Sequence, residues 1–72
     1  MDAESLGKEI ESVRKRGKIS RKELAAMAGV GSTAIYELEK GTGKTKLSTL
    51  LKILNALNIT MVLKAPFVEG YL

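Results

Sequence analysis

A mainly α fold of four to five short helices with a short C-terminal strand is predicted by three features of this 72-residue chain. Apolar residues recur at helical spacing in four segments. Glycines fall where each of the first three segments stops. After Asn58 the apolar period drops from about 3.6 residues to 2. No repeat, low-complexity stretch or linker interrupts the chain, so residues 1–72 are expected to form a single domain.

The first helix is expected from about Glu4 to Arg16, with Leu6, Ile10 and Val13 on one face and Gly17 as its stop. The second begins at Ser20, because Ser20 and Glu23 stand three apart, the spacing at which each side chain caps the other's backbone amide. Leu24, Ala25, Met27 and Ala28 give it an apolar side, and Gly29 ends it by entering the left-handed conformation without steric cost. Val30 can fill the angle to the third helix, Gly31 to Lys40, whose inward side carries Ile35, Leu38 and Glu39. Gly41, Thr42 and Gly43 break that helix. The fourth runs from about Lys46 to Leu57. Leu47, Leu50, Leu51, Leu54 and Leu57 form its stripe with Ile53 alongside, so burial of more than one face is expected.

From Ile59 to Lys64 the alternation of a strand puts Ile59, Met61 and Leu63 on the helices, chiefly against Leu50, Leu54 and Leu57, with Thr60, Val62 and Lys64 outward. Pro66 ends it. A lone strand leaves backbone donors and acceptors unpaired, and the economical partner is the same strand of a second copy across a two-fold axis. Ile59, Met61 and Leu63 are therefore the expected dimerisation residues of a homodimer. The tail from Phe67 to Leu72 offers a further contact to a partner chain.

Composition excludes several chemistries. Cysteine and histidine are both absent, which removes disulfides, thiolate or imidazole metal sites and histidine acid–base catalysis. No catalytic residue, metal site or cofactor is assigned, since no paired carboxylates or isolated lysine come with a pocket. The run Lys40 to Thr45, KGTGKT, lacks the first glycine of a nucleotide-binding phosphate loop, since Leu38 stands there, and it follows a helix where that loop follows a strand. No apolar run nears the roughly 20 residues of a membrane span and no signal peptide is visible, so a cytoplasmic, nucleoid-associated location is expected.

The formal net charge is +4. Its placement says more than its size. Arg14, Lys15, Arg16, Lys18, Arg21 and Lys22 form a run free of acidic residues, and Lys40, Lys44 and Lys46 form a second group. These groups flank two helices (20–40) joined by a glycine-containing turn, an arrangement that presents its second helix to a DNA major groove. Arg21, Lys22, Lys44 and Lys46 are the expected phosphate contacts. If Ile35 and Leu38 face the core, Ser32, Thr33, Tyr36 and Glu37 face the bases. There Glu37 could accept from a cytosine amino group or pair with a nearby lysine. The competing reading is a dimeric helical interaction module whose basic face meets an acidic protein.

The stretch Leu6 to Leu63 resembles the XRE-type helix-turn-helix family of Cro-like and other phage and bacterial repressors. The resemblance lies in Arg14, in Ile19-Ser20-x-x-Glu23-Leu24-Ala25, in Gly29-Val30 and in Ile35-x-x-Leu38-Glu39-x-Gly41. The later stretch GTGKTKLSTLLKILNALNITMVL is similar to the branch that holds HipB-like antitoxins. The resemblance implies a λ-repressor-like domain, a homodimer on a double-stranded DNA operator, repression of its own operon, and a charged pair between Arg14 and Glu39. The branch further implies a toxin partner of the HipA kinase type, which the tail could contact; a stand-alone phage-type repressor is the alternative. Arg21 replaces the family's usual Gln at the first turn of helix two. Ser32 and Thr33 replace a long polar residue at the start of the recognition helix, and Gly31 replaces a Ser or Thr cap. These departures bear on the target sequence and leave the fold intact.

Overall fold

Four helices and a two-stranded hairpin make up the computed structural model, which describes residues 1–67 and 69–71. In chain order they are α1 (Ala3–Arg16), α2 (Arg21–Ala28), α3 (Ser32–Lys40), α4 (Leu47–Ala56), β1 (Val62–Lys64) and β2 (Glu69–Tyr71). Side chains of the sequence's own choosing start the first two helices. Ser5 donates its amide to the Asp2 carboxylate at 2.8 Å, and the Asp2 amide donates to Ser5 Oγ at 3.2 Å. At α2 the Glu23 amide donates to Ser20 Oγ at 3.0 Å and the Ser20 amide to Glu23 Oε1 at 2.9 Å. By contrast α3 and α4 start at Gly31 and Lys46 without a side-chain cap.

All four helices end in the same way. One residue takes a left-handed conformation, and the amide after it reaches back to a carbonyl of the last turn. The left-handed residues are Lys18, Gly29, Gly41 and Asn58, with φ of 56°, 70°, 72° and 57°. The returning bonds are Ile19 to the Arg14 carbonyl, Val30 to Ala25, Thr42 to Glu37 and Ile59 to Leu54, at 3.2, 3.0, 3.4 and 2.9 Å. α1 stops at Gly17 as expected, but the left-handed residue is the one after it. Gly17 is right-handed at φ −79° and Lys18 carries the strain.

The core is Ile10, Leu24, Ala25, Ile35, Leu38, Ile53 and Leu54, with Leu6, Ile19, Val30, Leu50, Leu57, Ile59 and Met61 packed around it. α1 packs on α3, and α2 packs on both α3 and α4. Two glycines allow the backbones to close in. A Cβ on Gly7 would lie 2.4 Å from the Leu38 carbonyl oxygen, and one on Gly41 would lie 2.5 Å from Glu4 Cα. Expected burial fails at three apolar positions. Met27 is 55% exposed on α2, whose buried side is Leu24 and Ala25; on α4 Leu47 is 69% and Leu51 37% exposed, because that helix turns Ile53 and Leu54 inward and only one of its faces is covered.

The C-terminal strand also departs from expectation. It covers 62–64 where 59–64 was expected, because the Ile59 amide already closes α4 and is unavailable to a ladder. Ile59 and Met61 do pack on the helices, whereas Leu63 is half exposed. Nor is the strand alone. β1 pairs antiparallel with β2 of the same chain, Val62 opposite Tyr71, Leu63 opposite Gly70 and Lys64 opposite Glu69. This satisfies one edge of β1 within the chain. Of the tail expected to make partner contacts, Val68 and Leu72 lie outside the described residues, and Phe67 is 97% exposed.

Candidate nucleic-acid interface

Behind the recognition face, α3 is held by a buried arginine–carboxylate fork. Arg14 Nε donates to Glu39 Oε2 at 2.6 Å and Nη2 to Glu39 Oε1 at 3.0 Å, joining α1 to α3. Its Nη1 donates to the Ile19 carbonyl at 2.8 Å, which ties the turn before α2 to the same group. Such bidentate, charge-assisted geometry fixes orientation as well as adding energy. Burial alone would push the Glu39 carboxyl up in pKa. The hydrogen bonds and charges of Arg14 and Arg21 outweigh that and hold it below the ordinary carboxylate range. The Glu39 hydrogen bond raises Arg14 above its usual value.

With Arg14 and Glu39 only 7% and 6% exposed, one member of the basic run belongs to the interior. Arg21 is drawn towards the same cluster. Its Nε donates to Glu39 Oε1 at 2.9 Å and its Nη2 to Glu11 Oε2 at 3.3 Å. Its Cζ lies 5.2 Å from the Tyr36 ring centroid, and Lys40 Nζ lies 5.4 Å from the same ring. Arg21 was expected at the phosphates; the structure brings it to two carboxylates and a ring. Sequence reasoning missed Glu11 as a member of this cluster. Its spacing of three from Arg14 on one helix was the available signal, and Arg14 Nη2 lies 4.0 Å from it.

On the outward side of α3, Ser32, Thr33 and Tyr36 are exposed while Ile35 and Leu38 are buried beneath them. The uncapped start of α3 leaves backbone amides of its first turn free for an acceptor. Glu37 is half-buried and lies with Thr33, Lys44, Thr45 and Lys46 along a groove of about 460 Å³ between α3 and the start of α4. The loop carrying the lysines is pinned to α3. Thr42 Oγ1 donates to the Glu37 carbonyl at 3.3 Å and accepts from the Lys44 amide at 3.3 Å. Lys22, Lys44 and Lys46 are exposed, and none of them forms a salt bridge among the described residues. Ile59, Met61 and Leu63 lie away from this face, beside α1 and α4 or on the hairpin.

An apolar-cored helical unit with a capped second helix, a glycine turn and an exposed third helix beside free lysines defines a helix-turn-helix DNA-binding domain. The chain belongs to the helix-turn-helix family, of XRE type, whose model matches residues 10–63. It is 33% identical over 61 residues to an uncharacterized HTH-type transcriptional regulator, y4mF, of Sinorhizobium fredii (strain NBRC 101917 / NGR234), covering 85% of this chain and 80% of that protein. Among solved structures it is similar to a chain of a HipA–HipB–O2–O3 complex, at a TM-score of 0.84 and 27% identity, covering 92% and 93% of the two chains. A chain from a HipB complex with an O2 20-mer matches at a TM-score of 0.83 and 27% identity, covering 92% of each. This is a helix-turn-helix transcriptional regulator of HipB-like fold. No helix among the described residues is long and apolar enough to cross a membrane.

Proposed function

We propose that the chain is a homodimeric, sequence-specific repressor of its own operon and the antitoxin of a toxin–antitoxin pair. The observation that carries the DNA-binding part is the outward face of α3. Exposed Ser32, Thr33 and Tyr36 adjoin a groove rimmed by Lys44 and Lys46, with Glu37 at its wall. Ser32, Thr33, Tyr36 and Glu37 meet base edges, while Lys22, Lys44 and Lys46 neutralise phosphates. The similarity to HipB in complex with HipA and with O2 supports a HipA-type kinase as the toxin partner.

Homodimerisation brings two copies of α3 into successive major grooves about 34–36 Å apart. β1 still has one edge without a strand partner among the described residues, and Leu63 and Val62 on it are half exposed. Pairing of the two β1 edges would extend two hairpins into one four-stranded sheet across the two-fold axis.

The test is a mobility shift on random-sequence duplex DNA and on a sequence selected from a randomised pool, each at two salt concentrations. A steep salt slope with at least a thousandfold preference for the selected sequence is expected. A flat slope with no selected sequence would leave the protein-interaction reading instead. Leu63→Lys sets like charges across the proposed axis, and light scattering should then report a monomer. The toxin part is decided by the neighbouring gene. A kinase-type toxin beside this one supports it, and the lack of any toxin gene there refutes it.

A further inference from the structure

Arg21 stands at the edge of the recognition face, yet the fold already engages its side chain on three sides. Nε and Nη2 donate to two different carboxylates, Glu39 on α3 and Glu11 on α1, at 2.9 and 3.3 Å. The guanidinium carbon lies over the Tyr36 ring, 5.2 Å from its centroid. A phosphate approaching Arg21 would meet a guanidinium whose Nε and Nη2 are already bonded within the protein, in a cluster where Glu11 and Glu39 are shared with Arg14 and Lys15. Lys22, Lys44 and Lys46 offer free charges nearby. Arginine is suited to this role by shape. Its planar fork matches carboxylates edge-on and stacks on an aromatic face, which a lysine ammonium cannot do.

Tyr36 is what this arrangement acts on. It is 45% exposed on the outward side of α3, where an aromatic ring without neighbours would swing between rotamers. Arg21 touches it from α2, and Lys40 from the next turn of its own helix. Glu39, the residue that anchors Arg21, is itself fixed by the buried fork to Arg14. A continuous chain of contacts thus runs from the interior of α1 through Glu39 and Arg21 to a ring on the recognition face.

We infer that Arg21 is a positioning residue for base recognition, holding the Tyr36 ring in one orientation through its bonds to Glu39 and Glu11, and not a phosphate contact. The inference rests on the operator-binding reading. It predicts that the two roles separate in binding data. Losing a phosphate contact weakens binding to every sequence alike and flattens the salt slope, whereas releasing the ring changes which base is chosen.

The experiment selects binding sites from a randomised duplex pool with the unaltered full chain and with Arg21→Lys, Arg21→Gln, Tyr36→Leu and Lys44→Gln. Salt slopes are then measured on the winning sequence. Arg21→Lys and Arg21→Gln should both relax the choice at the half-site position that Tyr36→Leu relaxes, with the slope unchanged. Lys44→Gln should keep the selected sequence and lower the slope by about 0.9 per protomer bound. Circular dichroism checks that each variant is folded, and Tyr36→Leu leaves the charge cluster intact should Arg21→Gln weaken the fold. In the free protein, NMR should find the Arg21 δ-protons shifted upfield by the ring and restored in Tyr36→Leu.

The positioning role is overturned alone if the unaltered chain selects a sequence and Arg21→Lys selects the same one with the same stringency. It is also overturned if Arg21→Gln flattens the slope without altering the selection, or if the upfield shift is absent. No enrichment by the unaltered chain would instead overturn the operator reading, and with it any role in base choice.

Discussion

Removing the Glu39 carboxylate should cost the protein a large share of its stability. Its side chain is 1% exposed and accepts from Arg14 at 2.6 and 3.0 Å and from Arg21 at 2.9 Å. Glu39→Ala leaves the Arg14 guanidinium buried without its counter-charge, a loss of roughly 3–5 kcal/mol. A domain of this length has roughly 4–11 kcal/mol of total stability, so between about a quarter and all of it is at stake. At about 4–8 °C per kcal/mol, the midpoint should fall by at least about 12 °C. Glu11 sets a limit on the loss. Its Oε2 already lies 3.3 Å from Arg21 and 4.0 Å from Arg14, so it can turn towards the vacated charge. The assay is thermal and urea unfolding followed by circular dichroism, at low and high salt, since a buried pair is screened little. Replacing both partners, as in Arg14→Met with Glu39→Leu, should recover most of the stability because no uncompensated charge remains. A Glu39→Ala midpoint within a few degrees of the parent would refute the reasoning, as would a double replacement no more stable than Glu39→Ala.

The same carboxylate sets a pH dependence. Its folded pKa lies below its ordinary value of 4.5, so its contribution is present above that value and lost as pH falls through the lower, folded one. Asp2 and Glu23 are depressed as well, through the backbone amides of Ser5 and Ser20 that they accept. Acid unfolding curves should therefore be less steep below about pH 4.5 in Glu39→Gln than in the parent, with the residual slope belonging to the caps. Gly7→Ala should destabilise by about 1–3 kcal/mol or prevent folding, because its Cβ would sit 2.4 and 2.8 Å from the Leu38 and Glu39 carbonyl oxygens; urea unfolding reads this directly. Lys18→Gly should raise stability by about 1 kcal/mol, since Lys18 is exposed and held at φ 56°. A lower melting midpoint for Lys18→Gly would show that the lysine side chain itself contributes there.

What could be read in the sequence follows from what is local. The capping box of Ser20 and Glu23, the left-handed Gly29 and Gly41 and the inward Ile35 and Leu38 each depend on a few neighbouring residues, and each stands in the structure where the pattern put it. Periodicity did less well on α4. Five leucines look like one stripe, but the helix is covered on one side only, and Ile53, beside the stripe, is fully buried while Leu47 is left out. The strand was misjudged for a related reason. Ile59 fits a period of 2, but whether its amide serves a ladder or a helix end depends on Asn58 adopting φ 57°, which a hydropathy pattern does not contain.

Charge was the least legible property. A run of six cations reads as one surface, yet Arg14 and Arg21 both turn towards Glu39, a residue 18 to 25 positions away, and Lys15 leans on Glu11 at 3.8 Å. Long-range pairing thus divides the basic run into charges that build the fold and charges left for a ligand. Lys22 and the two lysines after α3 have no carboxylate partner among the described salt bridges, and neither has Lys40 on α3 itself, whose Nζ lies over the Tyr36 ring. This division bears on affinity. If phosphate neutralisation falls to three lysines per protomer, the salt slope of a dimer should be near 5, at about 0.9 for each of its contacts. Counting Arg21 as well would bring it near 7. Lys40 counted in place of Arg21 would give the same value, so the two assignments separate on Arg21→Gln: an unchanged slope for a positioning residue, a fall of about 1.8 per dimer for a phosphate contact.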